Sequence, residues 1–175
     1  MNLDELIISG VRRATEDVFT TMLGVDLAPA EASIETGEPE AHDGVVSLIG
    51  LAGTWMGAGC ICCPPDLACR VYSRMLLSDA TAVDEEVLDA VAELTNMIIG
   101  GVKTGLEAEL GPLCLSIPTV VFGRNFRTKS AGTAKWVVLR FPWEGSELIV
   151  KMCLTKAEKT HSAPHRPAHA CTLEV

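Results

Sequence analysis

Three features of the sequence predict an α+β fold, with a long amino-terminal helix and a central helix pair packed on a largely antiparallel sheet. Apolar residues recur at helical spacing over residues 3–22 and again over 83–102. Short apolar, β-branched runs bounded by glycine and proline lie on both sides of the central helices. The resulting order of helix, strands, two helices and strands places helices on one sheet. With 48% of its 175 residues apolar, the chain can bury one substantial core. Residues 1–155 are expected to form that one domain.

In the first helix Leu3, Leu6, Ile7, Val11, Ala14, Val18 and Met22 share a face, and Gly24 is a natural stop. Residues 25–44 carry two prolines, six acidic residues and no Lys or Arg, which suits an irregular or edge strand followed by a solvated loop. Residues 45–51 and 54–63 flank Ala52-Gly53 as a hairpin. Pro64-Pro65-Asp66 opens a second helix, with Leu67, Val71, Met75 and Leu76 predicted inside and Arg70 and Arg74 outside. A third helix follows Ser78. Thr81 with Asp84 forms a capping-box pattern, Asp84, Glu85 and Glu86 suit the positive end of the helix dipole, and Gly111-Pro112 ends the segment. Residues 116–122, 134–141 and 147–154 read as three more strands, the last two joined by a turn at Trp143-Glu144-Gly145. From residue 156 onward the apolar period is lost, which predicts a disordered tail over 156–175.

Charge narrows the function. A formal net charge of −9 opposes nucleic-acid binding and repels an anionic membrane surface, so protein partners are favoured. The acidic start and the lack of any long apolar run predict a cytoplasmic protein. Seven cysteines, four of them within residues 60–69, read as reduced, buried thiols, because no paired Cys-x2-Cys knuckle is present. His161, His165 and His169 are spaced four apart, but Pro164 and Pro167 break the helix that would align them as ligands. Gly53, Gly57 and Gly59 lack the following Gly-Lys-Ser/Thr of a phosphate-binding loop. Arg124, Arg127 and Lys129 form a short basic loop read as a solubilising turn. No metal and no cofactor of the chain's own is predicted.

The third helix carries the chemistry. At about 100° per residue, Val83, Val87, Val91, Leu94, Ile98 and Val102 fall in one core-facing stripe. Asp89, Glu93, Asn96, Gly100 and Lys103 cluster opposite, with Glu93 and Asn96 surface neighbours at a spacing of three. A polar face of this kind is by itself an ordinary solvated face, and Gly100-Gly101 can simply ease helix packing. Yet each interior glycine costs a helix about 1 kcal/mol relative to Ala, and Asn is a middling helix former. Stability alone does not account for these choices.

The run Asp89-Ala-Val-Ala-Glu93-Leu-Thr-Asn96-Met-Ile-Ile-Gly100 resembles the Asp/Ser-x3-Glu-x2-Asn-x3-Gly signature of the CheC, CheX and FliY family of chemotaxis phosphatases. Ser47-Leu-Ile-Gly-Leu-Ala-Gly53, the Pro-Pro-Asp helix opening and Ser116-Ile-Pro-Thr-Val-Val-Phe-Gly123 also look like CheX-type segments, in the same order. The first helix has no Glu-x2-Asn pair, and a single copy of the signature favours the CheX branch over CheC.

The resemblance implies a CheC-like fold and an activity: hydrolysis of the aspartyl phosphate of a CheY-like response regulator. It implies that Asn96 positions the attacking water and that Glu93 docks on the receiver's active-site lysine. Asp89 and Gly100 would belong to the partner-binding face. Mg2+ would be supplied by the receiver, and the protein would be a homodimer. The competing expectation is a noncatalytic adaptor of the same fold that binds a receiver or a flagellar-motor component.

Overall fold

A computed structural model of the chain describes residues 2–36, 42–127 and 135–157. Helix α1 (Leu3–Val18) begins at Asn2, whose backbone N–H donates to Glu5 Oε2 (3.2 Å), and runs into a single π-helical turn, Phe19–Leu23. Gly24 ends that turn in the left-handed region at φ 66°, where a residue without Cβ is unstrained. Ile7, Val11, Ala14, Phe19 and Leu23 are buried. Phe19 meets Trp143 edge-on with ring centroids 5.3 Å apart.

The seven strands are β1 (Glu31–Thr36), β2 (His42–Gly53), β3 (Trp55–Cys63), β4 (Leu113–Leu115), β5 (Thr119–Phe126), β6 (Lys135–Trp143) and β7 (Ser146–Lys156). They form one antiparallel sheet in the order β1-β6-β7-β3-β2-β4, and β5 also pairs with β2. β4 pairs with Leu51–Gly53 and β5 with His42–Leu48, so these two short strands share one edge of β2. The predicted hairpin and the turn at Trp143-Glu144-Gly145 are both present. β1 is the edge strand expected from the acidic segment.

Helices α2 (Pro65–Leu76) and α3 (Glu85–Leu110) connect β3 to β4. α3 packs against α1, α2 and the sheet. One apolar core lies between helices and sheet, with Leu67, Val71, Leu94, Ile98, Ile61 and Leu139 essentially inaccessible. Burying each such side chain contributes about 1.5–3 kcal/mol.

Several local expectations need correction. The N-cap of α3 is Asp84, whose Oδ1 accepts the Val87 N–H (3.0 Å), so the helix starts later than a Thr81 cap requires. Leu76 is 56% exposed, because the chain leaves α2 through Leu77 in the left-handed region. Arg70 is half-buried rather than external. It donates to Asp66 Oδ2 (2.6 Å), Ser146 Oγ (2.7 Å) and the Glu144 carbonyl (2.9 Å), and stands over the Trp143 ring, tying α2 to the β6–β7 turn. The strand expected over 116–122 starts later, as β5 from Thr119, while the short β4 lies before it, and Ser116 between them still exchanges hydrogen bonds with Gly50 of β2 (2.9 Å). Residues 136–141 lie in β6, an interior strand between β1 and β7. The tail predicted from 156 starts too early, since Lys156 ends β7 opposite Trp55 and the Ala157 N–H donates to the Thr54 carbonyl (3.1 Å); its remaining residues lie outside the described ones.

Candidate functional site

Helix α3 presents its polar face beside the β4–β5 edge and is held firmly from beneath. Val87, Val91, Leu94, Ile98 and Val102 are fully buried, and Val83, just before the helix, is half-buried. The Thr95 hydroxyl, also buried, is satisfied by the Val91 carbonyl one turn back (2.7 Å). Gly59 of β3 lies directly below, where an added Cβ would come 2.8 Å from Ile99 Cδ1. From the side, α1 approaches so closely that a Cβ on Gly101 would be 3.1 Å from Ala14 Cβ. A helix braced on sheet and neighbouring helix positions its outward side chains with little freedom.

Asp89, Glu93 and Asn96 all project to solvent, and Gly100 is half-buried in line with them. Among the described residues, none of these three side chains has a hydrogen-bond or ion-pair partner. Lys103 does not share that condition. It pairs with Glu107 (3.0 Å), whose Oε1 also accepts the Leu113 N–H (3.0 Å). The Leu113 N–H, and then Lys103, hold the Glu107 carboxyl below its ordinary pKa. Lys103 is therefore engaged in closing the α3–β4 corner, and the exposed face stays acidic.

The two glycines have different surroundings. Gly101 sits in the close α1–α3 crossing, so easing helix packing accounts for it. At Gly100 the nearest atom to an added Cβ would be Leu115 Cδ1, at an ordinary 3.9 Å. Packing does not require glycine there. Its effect is a bare strip of helix one turn beyond Asn96, where another backbone can approach. Leu115 leads into the β4–β5 connection, whose Ile117 is 87% exposed. The sequence reading placed Ile117 in a strand and gave it no role beside this face, since an apolar residue leading into the run Thr119-Val-Val-Phe122 carries no signal of exposure.

The other constellations remain apart from this face. Cys60, Cys62, Cys63, Cys69 and Cys153 are buried and unbridged, while Cys114 is exposed. Arg124 and Arg127 are exposed, whereas Lys129 and the three tail histidines lie outside the described residues. Among the described residues no group of three or more His, Cys, Asp or Glu could hold a metal ion. No described helix is long and apolar enough to cross a membrane.

A carboxylate and a carboxamide one turn apart, with an open glycine strip beside them, can pair with a cation and orient a water on a partner. They contain no nucleophile or metal site of their own. Comparison with known proteins gives this arrangement a family. The model of the chemotaxis phosphatase CheX family matches residues 45–142, more than half the chain and including all of the polar face of α3. The CheY-P phosphatase CheX of Thermotoga maritima is 27% identical over 141 residues, covering 80% of this chain and 88% of that protein. A CheC-like superfamily protein from Shewanella superposes with a TM-score of 0.77 at 27% identity, covering 89% of this chain and 99% of that one. The chemotaxis protein CheX of Vibrio vulnificus gives 0.75 at 25% identity, covering 85% and 99%. The chain thus belongs to the CheX family of chemotaxis phosphatases.

Proposed function

We propose that this protein hydrolyses the aspartyl phosphate of a CheY-like response regulator, with α3 inserted at the receiver's active site. The observation that carries the reading is the pair Glu93 and Asn96, exposed and unpartnered among the described residues on a braced helix. The relative from Thermotoga maritima, named a CheY-P phosphatase, supports the same substrate.

An aspartyl phosphate is an activated acyl phosphate, so the phosphatase need only place a water in line with phosphorus. The Asn96 carboxamide oxygen accepts a hydrogen bond from that water, while its NH2 donates to the partner. Water oxygen bonds to phosphorus, the bond from phosphorus to the acyl oxygen breaks, and aspartate and inorganic phosphate result. Mg2+, supplied by the receiver, would neutralise charge on the phosphoryl oxygens. Glu93 pairs with the receiver's active-site lysine and fixes where Asn96 enters, and Asp89 extends the acidic docking edge.

The test separates the two roles. In single-turnover decay of a phosphorylated receiver at saturating enzyme, Asn96→Ala is expected to slow hydrolysis by on the order of 10² to 10³ with little change in binding. Glu93→Ala is expected to weaken binding to a stable phosphoryl mimic by about 2 kcal/mol or more. A folded Asn96→Ala variant with full activity refutes the mechanism, and binding without any acceleration by the unaltered protein identifies a noncatalytic adaptor.

The protein is further proposed to be a cytoplasmic homodimer. The sheet ends in two edges, β1 on one side and β4 with β5 on the other, and Ile34 and Phe122 on them are 46% and 47% exposed. Covering such an edge is a common reason for pairing. Sedimentation as an 18.6 kDa monomer at micromolar concentration contradicts this.

A further inference from the structure

The polar face of α3 has an apolar neighbour that the proposed chemistry does not use. Ile117, between β4 and β5, is 87% exposed, and one exposed isoleucine is by itself ordinary. Its mounting is not. The Ser116 N–H donates to the Gly50 carbonyl (2.9 Å), and Ser116 Oγ accepts the Gly50 N–H (2.9 Å) while donating to the carbonyl of Ile117 itself (2.9 Å). On the other side Pro118 confines Ile117 to extended backbone, and a β-branched side chain is stiff at χ1. An apolar side chain is thus held out to solvent on a fixed support, with little entropy left to lose on contact.

Its place is beside the open strip of α3. Leu115, two residues before Ile117, is the neighbour nearest to an added Cβ at Gly100, at 3.9 Å. Leu115 packs against the main core, so the chain passes from core to surface within two residues, next to the helical turn that follows Asn96. Asp89, Glu93 and Asn96 would all lose water on contact with a partner, and that loss offsets much of what their new bonds return. Tight interfaces concentrate their energy in a side chain that fills a dry pocket, with polar contacts around it.

We propose that Ile117 is this anchor: it seats in an apolar depression at the rim of the receiver's active site while α3 presents Glu93 and Asn96 to the phosphorylated aspartate. The proposal rests on the receiver-docking reading of α3 and adds the apolar half of the same surface. Ile117 contributes affinity and register without touching the reacting atoms. Its contribution comes from apolar burial, so salt does not screen it, unlike the attraction supplied by Glu93.

The full chain, Ile117→Ala and Ile117→Val would be titrated against a panel of CheY-like receivers carrying beryllium fluoride and Mg2+. Single-turnover decay of the same receivers, phosphorylated, would be followed across protein concentration. Losing most of one isoleucine from a dry contact should raise Kd and the half-saturating concentration by about 10- to 30-fold. The limiting rate at saturation should be unchanged, which separates Ile117 from Asn96, and Ile117→Val should recover most of the affinity. The melting temperature should not move, and the loss should be equal at low and high salt, whereas that of Glu93→Ala should shrink as salt rises. A folded Ile117→Ala variant with unaltered affinity overturns the proposal and leaves the phosphatase reading standing. So does a lowered limiting rate at unaltered affinity, or weakened self-association in sedimentation at unaltered affinity, which would assign Ile117 to a second copy of the chain. If the unaltered chain binds a receiver without accelerating its decay, the phosphatase reading fails alone, and a 10- to 30-fold loss of that binding in Ile117→Ala still supports the anchor. Binding to no receiver in the panel overturns both.

Discussion

Replacing Gly100 with alanine should make the protein more stable and a poorer phosphatase. The added methyl meets only Leu115 Cδ1, at 3.9 Å, so no neighbour has to move. The full helix-propensity difference of about 0.8–1 kcal/mol should therefore be recovered. For a chain of this size that corresponds to a rise in Tm of about 2–4 °C. The same methyl would stand one turn beyond Asn96, where the partner's backbone is proposed to approach, and a displacement of about 1 Å at the reacting centre can lower the rate by about 10². Gly101→Ala is the control. Its Cβ would lie 3.1 Å from Ala14 Cβ, so α1 and α3 must separate slightly. Overpacking of this kind costs about 1–3 kcal/mol, more than the propensity gain returns. Thermal unfolding of both variants, with single-turnover decay of a phosphorylated receiver, gives the comparison. A Gly100→Ala variant that is more stable and fully active would refute the docking role of this position. One that is less stable would refute the packing argument.

Two further perturbations test the structure away from that face. Ser47 is completely buried and its Oγ has no hydrogen-bond partner among the described residues, so Ser47→Ala should stabilise the fold by about 1 kcal/mol in urea unfolding. A loss of stability would show that the hydroxyl is satisfied. The Asp66 carboxyl is held below its ordinary pKa, first by the hydrogen bond from Ser146 and then by the Arg70 charge. Its contribution is therefore complete above the unfolded pKa of about 3.9 and is lost as pH falls through the lower folded value. Asp66→Asn should flatten the stability profile below about pH 4, and an unchanged acid limb in denaturation midpoints would contradict the pairing.

Much of the site was legible in the sequence because the α-helix has a fixed period. Once residues 83–102 are read as helical, Val87, Val91, Leu94 and Ile98 must share a face, and Glu93 and Asn96 must share the opposite one. No tertiary contact is needed for that inference, and the resemblance carried by Asp89, Glu93, Asn96 and Gly100 rests on the same local spacing. The hairpin of β2 and β3 and the proline opening of α2 are similarly local. Strand order is not, because pairing joins residues far apart in sequence. Residues 136–141 gave no sign that β1 would cover one side of β6, nor could residues 116–122 show that β4 and β5 divide the edge of β2. Arg70 read as an exterior helix residue until folding brought Ser146 and Glu144 to it, across more than seventy residues of chain. The difference between Gly100 and Gly101, identical in sequence terms, also belongs to the tertiary structure. Only the approach of α1 at Ala14 makes one of them a packing glycine and leaves the other open to a partner.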